Sequence, residues 1–265
     1  MGRNSAYSGT AIAAGLSSGR GEYQSPGIRG SGITHLRSFA FDNHEALIVH
    51  PDVDLVVVTV KVPLHRRMVS AALDAGKMVY CEWPRGNGLA EAARLSQFAL
   101  TAGVRTVCGL QARFSPAIRY TRDLIADGFI GEVLATTLVG SGHLWGAETQ
   151  RQYAYAFDAS NGATMLTVPV IHALDALTFA IADFDSVTAS TAIRRRVVRI
   201  VEDGSVQPAT APDHVAIAGI LHGGAVVSVF TAVEARVARI CGGRSTVRRA
   251  TWYSPRISES FKRRT

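Results

Sequence analysis

The stretch VDLVVVTVKV at residues 53–62 decides the fold class of this chain. It is a continuous run of mostly β-branched residues, which is typical of a parallel strand that is buried on both faces. The residues that follow, PLHRRMVSAALDAG at 63–76, begin with a proline in the first turn and end with a glycine, as helices commonly do. A buried strand followed at once by a helix predicts a βαβ unit.

The same alternation continues towards the C-terminus. A second apolar strand, KMVYCE, occupies residues 77–82, a helix is predicted from about Leu89 to Ala102, and a third strand, VRTVCGL, follows at 104–110. The pattern predicts an α/β protein with a Rossmann-like parallel sheet. In such sheets ligands bind outside the carboxyl ends of the strands. The candidate site residues are therefore those that follow each strand: Lys61, Pro63, His65, Glu82, Trp83, Pro84, Gln111 and Arg113.

The C-terminal half predicts a second domain. A helix is expected at 115–128, a strand at 131–143, an apolar helix at 163–182, and strands within 186–203, 214–224 and 225–233. We expect an α+β domain with an open, mainly antiparallel sheet. The run Arg194-Arg195-Arg196 with Arg199 lies in strand-like sequence, where charges protect a sheet edge, and we assign it no function.

Both ends of the chain fit this scheme poorly. A complete dinucleotide-binding unit begins with an apolar strand that leads into G-x-G-x-x-G, but GTAIAAGL at 9–16 and GIRGSGITHL at 27–36 follow no such run. We therefore expect the first strand and the glycine loop to be missing. The predicted division is a poorly ordered remnant at 1–37, a dinucleotide-binding domain at 38–112, the second domain at 113–235 and a basic tail at 236–265. An interrupted or out-of-frame coding sequence is the hypothesis that explains both ends.

The net positive charge of the chain lies in its C-terminal tail. The chain has a net charge of +7, yet residues 236–265 hold nine lysines and arginines against the single acid Glu259. The remaining chain is close to neutral, so nucleic acid is not expected as a partner. The three cysteines are widely spaced, which argues against a disulfide framework or a metal cluster and favours a reducing compartment.

Localisation follows from what the sequence lacks. No secretory signal is recognisable at the N-terminus, so we expect a cytoplasmic protein. The most apolar run, 163–182, carries Pro169, His172 and Asp175, and ionisable groups are costly at the centre of a bilayer. We interpret this run as a buried helix and expect no membrane association.

Three segments in this order and spacing carry a family resemblance. VDLVVVTVKVPLH, then AGKMVYCEWP, then GLQARFSPAIRYTRDLIADGFIGEVLATTLVGSG resembles the Gfo/Idh/MocA family of NAD(P)-dependent oxidoreductases, and within it the Gal80-like branch, over about residues 38–235. The resemblance implies NAD or NADP as cofactor and a sugar-like small molecule as ligand, which meet between the two domains. It also implies a homo-oligomer through the C-terminal sheet.

Two departures from the family pattern concern catalysis. The family has Glu-Lys-Pro at the corner where this chain has Glu82-Trp83-Pro84, and an indole cannot replace lysine as a proton donor. The family also has an aspartate four residues before its catalytic histidine; His172 is retained here, but Val168 occupies the aspartate position.

The resemblance assigns ligand-binding roles to residues for which a purely structural role is the alternative. Lys61, Pro63, His65, Glu82, Trp83, Pro84 and Gln111 are expected to bind the cofactor, and Arg113, Trp145, His172 and Asp175 the substrate. His172 is the one candidate catalytic residue. The competing interpretations are an exposed first-turn residue for His65, a core aromatic for Trp83, a surface ion pair for Arg113, a core-covering aromatic for Trp145, a buried hydrogen-bonded histidine for His172, and a helix-positioning residue for Asp175.

Two functions remain open. The first is an oxidoreductase-like protein that binds a nicotinamide cofactor and a sugar-type ligand, with hydride transfer if it is active. The second is a non-catalytic regulator that senses cofactor or metabolite and binds a protein partner.

Overall fold

The computed structural model describes residues 12–13 and 43–233, except for the side chains of Ile12, Ala13 and His143. The glycine-rich stretch at 27–36, the basic tail and Cys241, on which part of the sequence analysis bears, lie outside the described residues.

A four-stranded parallel sheet forms the N-terminal part, in the order β1-β2-β3-β4. Its elements in chain order are β1 (Ile12–Ala13), α1 (His44–Val49), β2 (Leu55–Val58), α2 (His65–Asp74), β3 (Met78–Glu82), α3 (Leu89–Ala102) and β4 (Thr106–Gly109). The predicted βαβ alternation is confirmed, and α3 has the predicted bounds. One detail was wrong: β1 pairs with β2, so the first strand that we expected to be missing lies within GTAIAAGL.

Helix α2 shows why the sheet and its helices pack. Its buried residues are spaced three and four apart, which places them on one face. These residues are His65, Met68, Val69, Ala72 and Leu73. The four apolar residues of this face, together with buried side chains of α1, β2, β3 and α3, form the core of the N-terminal part.

The C-terminal part contains a second, open sheet in the order β5-β11-β10-β7, together with a small sheet in the order β6-β8-β9. Its elements are α4 (Pro116–Ala126), β5 (Ala135–Ser141), β6 (Glu148–Thr149), α5 (Ile171–Ala180), β7 (Phe184–Ala192), β8 (Val197–Ile200), β9 (Val206–Pro208), β10 (His214–Leu221) and β11 (Val226–Ala232). In the open sheet β10 pairs antiparallel with β7 and β11, while β5 and β11 are parallel. The predicted open, mainly antiparallel sheet is confirmed.

The arginine run lies outside the strand in which we expected it. Arg194 and Arg195 follow the end of β7, and their backbone N–H groups donate to the buried carboxylate of Asp213 at 2.8 and 2.7 Å. These two bonds replace ladder bonds, so the chain leaves the open sheet here and reaches β8, which contains Arg199.

The 163–182 run is helical but irregular. A π-helical turn at Leu166–Val170 leads directly into α5. Pro169 lies inside this turn, and the N–H of Val170 bonds to the carbonyl of Met165 at 3.2 Å. Among the described residues no helix is both long enough and apolar enough to cross a membrane.

The core of the N-terminal part gives a stability prediction. Leu73→Ala is expected to lower the free energy of unfolding by about 2–5 kcal/mol, because Leu73 is 2% exposed and its removal leaves a cavity. Urea unfolding measures this change. The matched control is Leu100→Ala on α3, which is 76% exposed and should change the free energy of unfolding by no more than about 0.5 kcal/mol. Equal losses in the two variants would contradict this packing.

Candidate functional site

The candidate site is a crevice at the carboxyl ends of β2, β3 and β4. Four of the predicted residues are exposed there: Lys61 and Pro63 after β2, and Gln111 and Arg113 after β4. Glu82 and Trp83 are half-buried at the end of β3, and Pro84 is buried. The parallel register of the three strands places these ends along one edge of the sheet, as the sequence predicted.

The corner after β3 is connected across the crevice by its tryptophan. Trp83 Nε1 donates a hydrogen bond to the backbone carbonyl of Thr167 at 2.6 Å, and the Trp83–Pro84 peptide bond is cis. The indole N–H is the one hydrogen-bond donor of this side chain. Because Thr167 already accepts it, Trp83 has no proton left to offer to a ligand.

The π-helical turn makes the Thr167 carbonyl available. The N–H of Ile171, the usual helical partner of that carbonyl, bonds instead to the carbonyl of Val168. The hydroxyl of Thr167 is also engaged, since it donates to the carbonyl of Gly162 at 2.6 Å and accepts the N–H of Thr164 at 2.7 Å. The acceptor for Trp83 is therefore fixed in place.

Beneath the corner lies His65, which has no exposed surface. Its Nδ1 lies 2.8 Å from the carbonyl oxygen of Pro84, and its Nε2 lies 2.8 Å from that of Val60. The ring thus joins the end of β2 to the corner from inside, so the alternative of an exposed first-turn residue is wrong. Its direct contact with a cofactor stays a prediction, since both ring nitrogens already face backbone carbonyls.

His172 lies in the first turn of α5 and is half-buried. Its Nδ1 is buried and has no hydrogen-bond partner among the described residues. Burial lowers the pKa of His172 below its usual value, although the charges of Asp175 and Glu82 oppose this shift. The ring is therefore held mainly neutral near pH 7 and can exchange a hydrogen bond with a ligand.

Arg113 and Asp175 form a bidentate ion pair. Arg113 Nε lies 2.9 and 3.0 Å from the two carboxylate oxygens, and Nη2 lies 2.5 Å from Oδ1. The Asp175 side chain is nearly buried, and the guanidinium also lies above the ring of Phe179. This pair joins the end of the parallel sheet to α5, and substrate binding by either residue stays a prediction.

Two more contacts cross the crevice. Lys61 Nζ lies 4.8 Å from the ring centroid of Tyr155, and Asn87 Nδ2 donates to the carbonyl of Ser160 at 2.7 Å. Burial and the charge of Glu82 raise the pKa of Tyr155. At least one side chain from each of the three strand ends thus contacts residues 155–175. Part of this segment packs against the open sheet.

Sequence reasoning missed part of this site. Thr167 contributes a backbone carbonyl, for which no residue type is a signal, and Asn87 belongs to an apparently ordinary glycine-rich loop. Tyr155 lies in the aromatic segment YAYAF at 153–157, which indicates a cleft or core lining without specifying the contact with Lys61.

Trp145 has different neighbours from the other predicted residues. It packs against Phe157, Val198 and Ala209, and its Nε1 donates to the carbonyl of Ala156 at 3.3 Å. It also lines a small pocket that includes none of the crevice residues. Its role in substrate binding stays a prediction. No three His, Cys, Asp or Glu side chains of the described residues converge as a metal site.

Comparisons with known proteins agree with this geometry. Residues 31–110 match the model of the oxidoreductase family with an NAD-binding Rossmann fold, and residues 116–239 match that of the Gal80p C-terminal domain. The dehydrogenase aclE of Aspergillus oryzae is 36% identical over 157 residues, which is 59% of this chain and 43% of that protein. The galactose/lactose metabolism regulatory protein GAL80 of Saccharomyces cerevisiae is 27% identical over 203 residues, 71% of this chain and 46% of that protein.

A solved structure extends the comparison to the fold. The transcriptional regulator Gal80p of Kluyveromyces lactis superposes with a TM-score of 0.69 at 26% identity, covering 76% of this chain and 52% of the other. The chain therefore spans about half the length of the relatives it matches.

The charges around His172 give a prediction for its titration. Asp175→Asn is expected to lower the pKa of His172 further, because it removes the negative charge that opposes the effect of burial and leaves Arg113 without its counterion. NMR titration of the histidine ring protons measures the shift. The ring resonances of His222, which is exposed and pairs with Asp185, serve as the control and should not differ between the variant and the wild type. An unchanged or raised pKa of His172 would contradict this electrostatic description.

Proposed function

The chain belongs to the Gfo/Idh/MocA oxidoreductase family with a Gal80-like C-terminal domain, and we propose that its crevice binds a nicotinamide dinucleotide and a sugar-type ligand without efficient hydride transfer. The observation that carries this proposal is the Trp83–Thr167 hydrogen bond. It leaves the corner without a free proton donor at the position where the family resemblance places its lysine.

The described residues fit such a ligand. The buried Nδ1 of His172 has no partner among them, and none of their carboxylates forms an ion pair with the exposed Lys61. A polar ligand with an amide and anionic groups would satisfy both. The indole of Trp83 offers an aromatic surface for a planar ring, and Gln111 adds an amide at the neighbouring strand end. No G-x-G-x-x-G segment that would bind the pyrophosphate occurs among the described residues.

Chemistry at the corner is limited by what the chain supplies. A bound nicotinamide provides the hydride donor or acceptor. The protein would have to move the hydroxyl proton of the sugar, and the lysine and aspartate positions hold Trp83 and Val168. Of the family's three catalytic groups only His172 remains, and its lowered pKa disfavours the imidazolium that would act as an acid when a carbonyl is reduced. Binding is therefore better supported than turnover.

The two functions left open by the sequence differ in whether the site needs a proton donor. We favour a non-catalytic protein that senses cofactor or metabolite and acts through a protein partner, because the corner lacks a proton donor. The similarity to the dehydrogenase aclE favours the second candidate, hydride transfer with His172 as the one acid–base group. The free thiols of Cys81 and Cys108 are compatible with the proposed cytoplasmic location.

Two measurements test the proposal. Titration with NADH and NADPH, followed by calorimetry or tryptophan fluorescence, should give saturable binding, and a panel of sugars with NAD and NADP should give no turnover. Trp83→Lys combined with Val168→Asp restores the family's two groups and should raise hydride transfer on the order of 10²-fold above the wild-type background, since acid–base catalysis contributes on that scale.

The matched control is Trp83→Phe combined with Val168→Asp, which lacks the amine and should stay at the wild-type level. Turnover by the wild-type protein would overturn the non-catalytic proposal and leave the oxidoreductase. Absence of binding to either cofactor would overturn both.

We further propose that the open sheet forms a dimer interface. The face opposite the helices carries twelve exposed side chains in three cross-strand rows, and none of them is charged. They are Ala135, Thr137, Val139, Ser186, Thr188, Ser190, Ala216, Ala218, Ile220, Val226, Ser228 and Phe230. A broad uncharged sheet face of this kind favours association with a second copy.

The division between the two domains at residues 112 and 113 likewise stays a proposal.

Replacing Phe230 tests the dimer. Phe230→Lys places a charge on an inner strand of this uncharged face and should shift sedimentation in an analytical ultracentrifuge from dimer to monomer, because a dimer of this type buries the same residue twice. Leu89→Lys on α3 changes a side chain that is 86% exposed and should leave the dimer intact. A wild-type protein that sediments as a monomer at all concentrations would contradict this interface.

A further inference from the structure

Both nitrogens of the buried His65 ring point at backbone carbonyl oxygens. Nδ1 faces the carbonyl of Pro84 and Nε2 faces that of Val60, each at 2.8 Å. A neutral imidazole has one N–H and one nitrogen lone pair. In a neutral ring one of these contacts would therefore place two lone pairs against each other at hydrogen-bond distance, in a site without exposed surface.

We propose that His65 is a charged imidazolium at neutral pH, and that this buried cation is the positioning residue that holds the Glu82-Trp83-Pro84 corner against the end of β2. With two N–H groups the ring donates to both carbonyls and satisfies all of its hydrogen-bonding capacity. The inference goes beyond ligand binding, and it rests on the proposed function only where binding in the crevice is used as a readout.

The surroundings supply the counter-charge. From β3, the thiol of Cys81 lies 3.6 Å from Nδ1, and a carboxylate oxygen of Glu82 lies 3.7 Å from Nε2. The end of β2 and the loop after β3 contribute the two carbonyls. In the same loop the carbonyl of Arg85 lies 3.8 Å from the Cys81 thiol, and the Arg85 guanidinium donates to Ser96 and Thr106. The nearest charges of α2 itself, Arg66 and Arg67, are exposed and pair with Glu91 and Glu45.

The energetics agree with the geometry. Burial alone would lower the pKa of His65, but hydrogen bonding to Cys81, to Glu82 and to the Val60 carbonyl outweighs it and raises the pKa to about 10. A cation in the first turn of α2 also opposes the helix dipole, so the carbonyls and Glu82 must compensate for that as well. Glu82, at 3.7 Å, is the one carboxylate partner of the ring among the described residues.

The protonation state can be measured directly in the wild-type protein. Long-range ¹H–¹⁵N NMR correlations distinguish an imidazolium from either neutral tautomer. Both ring nitrogens of His65 are expected to carry a proton at pH 7.5. A single neutral tautomer of His65 at pH 7.5 would overturn the inference.

Unfolding as a function of pH provides a second readout. Because the pKa of His65 is raised in the folded state, its stabilising effect is complete below about pH 6.5 and is lost as pH rises towards about 10. The difference in urea midpoint between the wild type and His65→Gln should therefore shrink over that range. His222→Gln should show no such trend, and a difference that is constant with pH would overturn the charged state.

Cofactor titration separates this inference from the proposed function. His65→Gln should weaken NADH binding on the order of 10-fold, because the corner loses its fixed position. Equal affinities of His65→Gln and wild type would overturn the positioning role. A wild-type protein that binds no NADH would overturn the proposed function, while the protonation of His65 would still be decided by NMR.

Discussion

The hydrogen bond from the Trp83 indole to the Thr167 carbonyl is the interaction on which the site depends. It joins the corner after β3 to the π-helical turn that leads into α5, and so fixes the position of His172 relative to the strand ends. It also uses the one polar group of the side chain that stands in the lysine position. This hydrogen bond thus joins the two sides of the crevice and occupies the one N–H donor at the lysine position.

The other contacts across the crevice also join the strand ends to the C-terminal part. Lys61 with Tyr155, Asn87 with Ser160 and the ion pair of Arg113 with Asp175 connect all three strand ends of the parallel sheet to residues 155–175. Each is worth on the order of 1 kcal/mol, so together they favour one arrangement of the crevice without making it rigid. Such preorganisation lowers the cost of binding a ligand, and it requires no catalytic group.

Much of the fold followed from the sequence because its signals are local. The β-branched run at 53–62 and the proline and glycine at the ends of α2 specify strand and helix directly, and α3 was predicted to the residue. The carboxyl-end rule then located Lys61, Trp83 and Gln111. What could not be predicted depends on partners distant in sequence: the burial of His65 between two carbonyls, the carbonyl of Thr167 that becomes available in a π-helical turn, and a two-residue strand at Ile12–Ala13.

The central claim is that Trp83 serves as a structural donor in a site that binds a nicotinamide and does not transfer hydride. A crystal structure of the protein with bound NADH tests it most directly. The account predicts the nicotinamide in the crevice beside Trp83, the indole N–H still on the Thr167 carbonyl, and His172 Nδ1 hydrogen-bonded to the ligand. An indole that has left Thr167 and donates to the ligand, or a nicotinamide bound away from this corner, would contradict it.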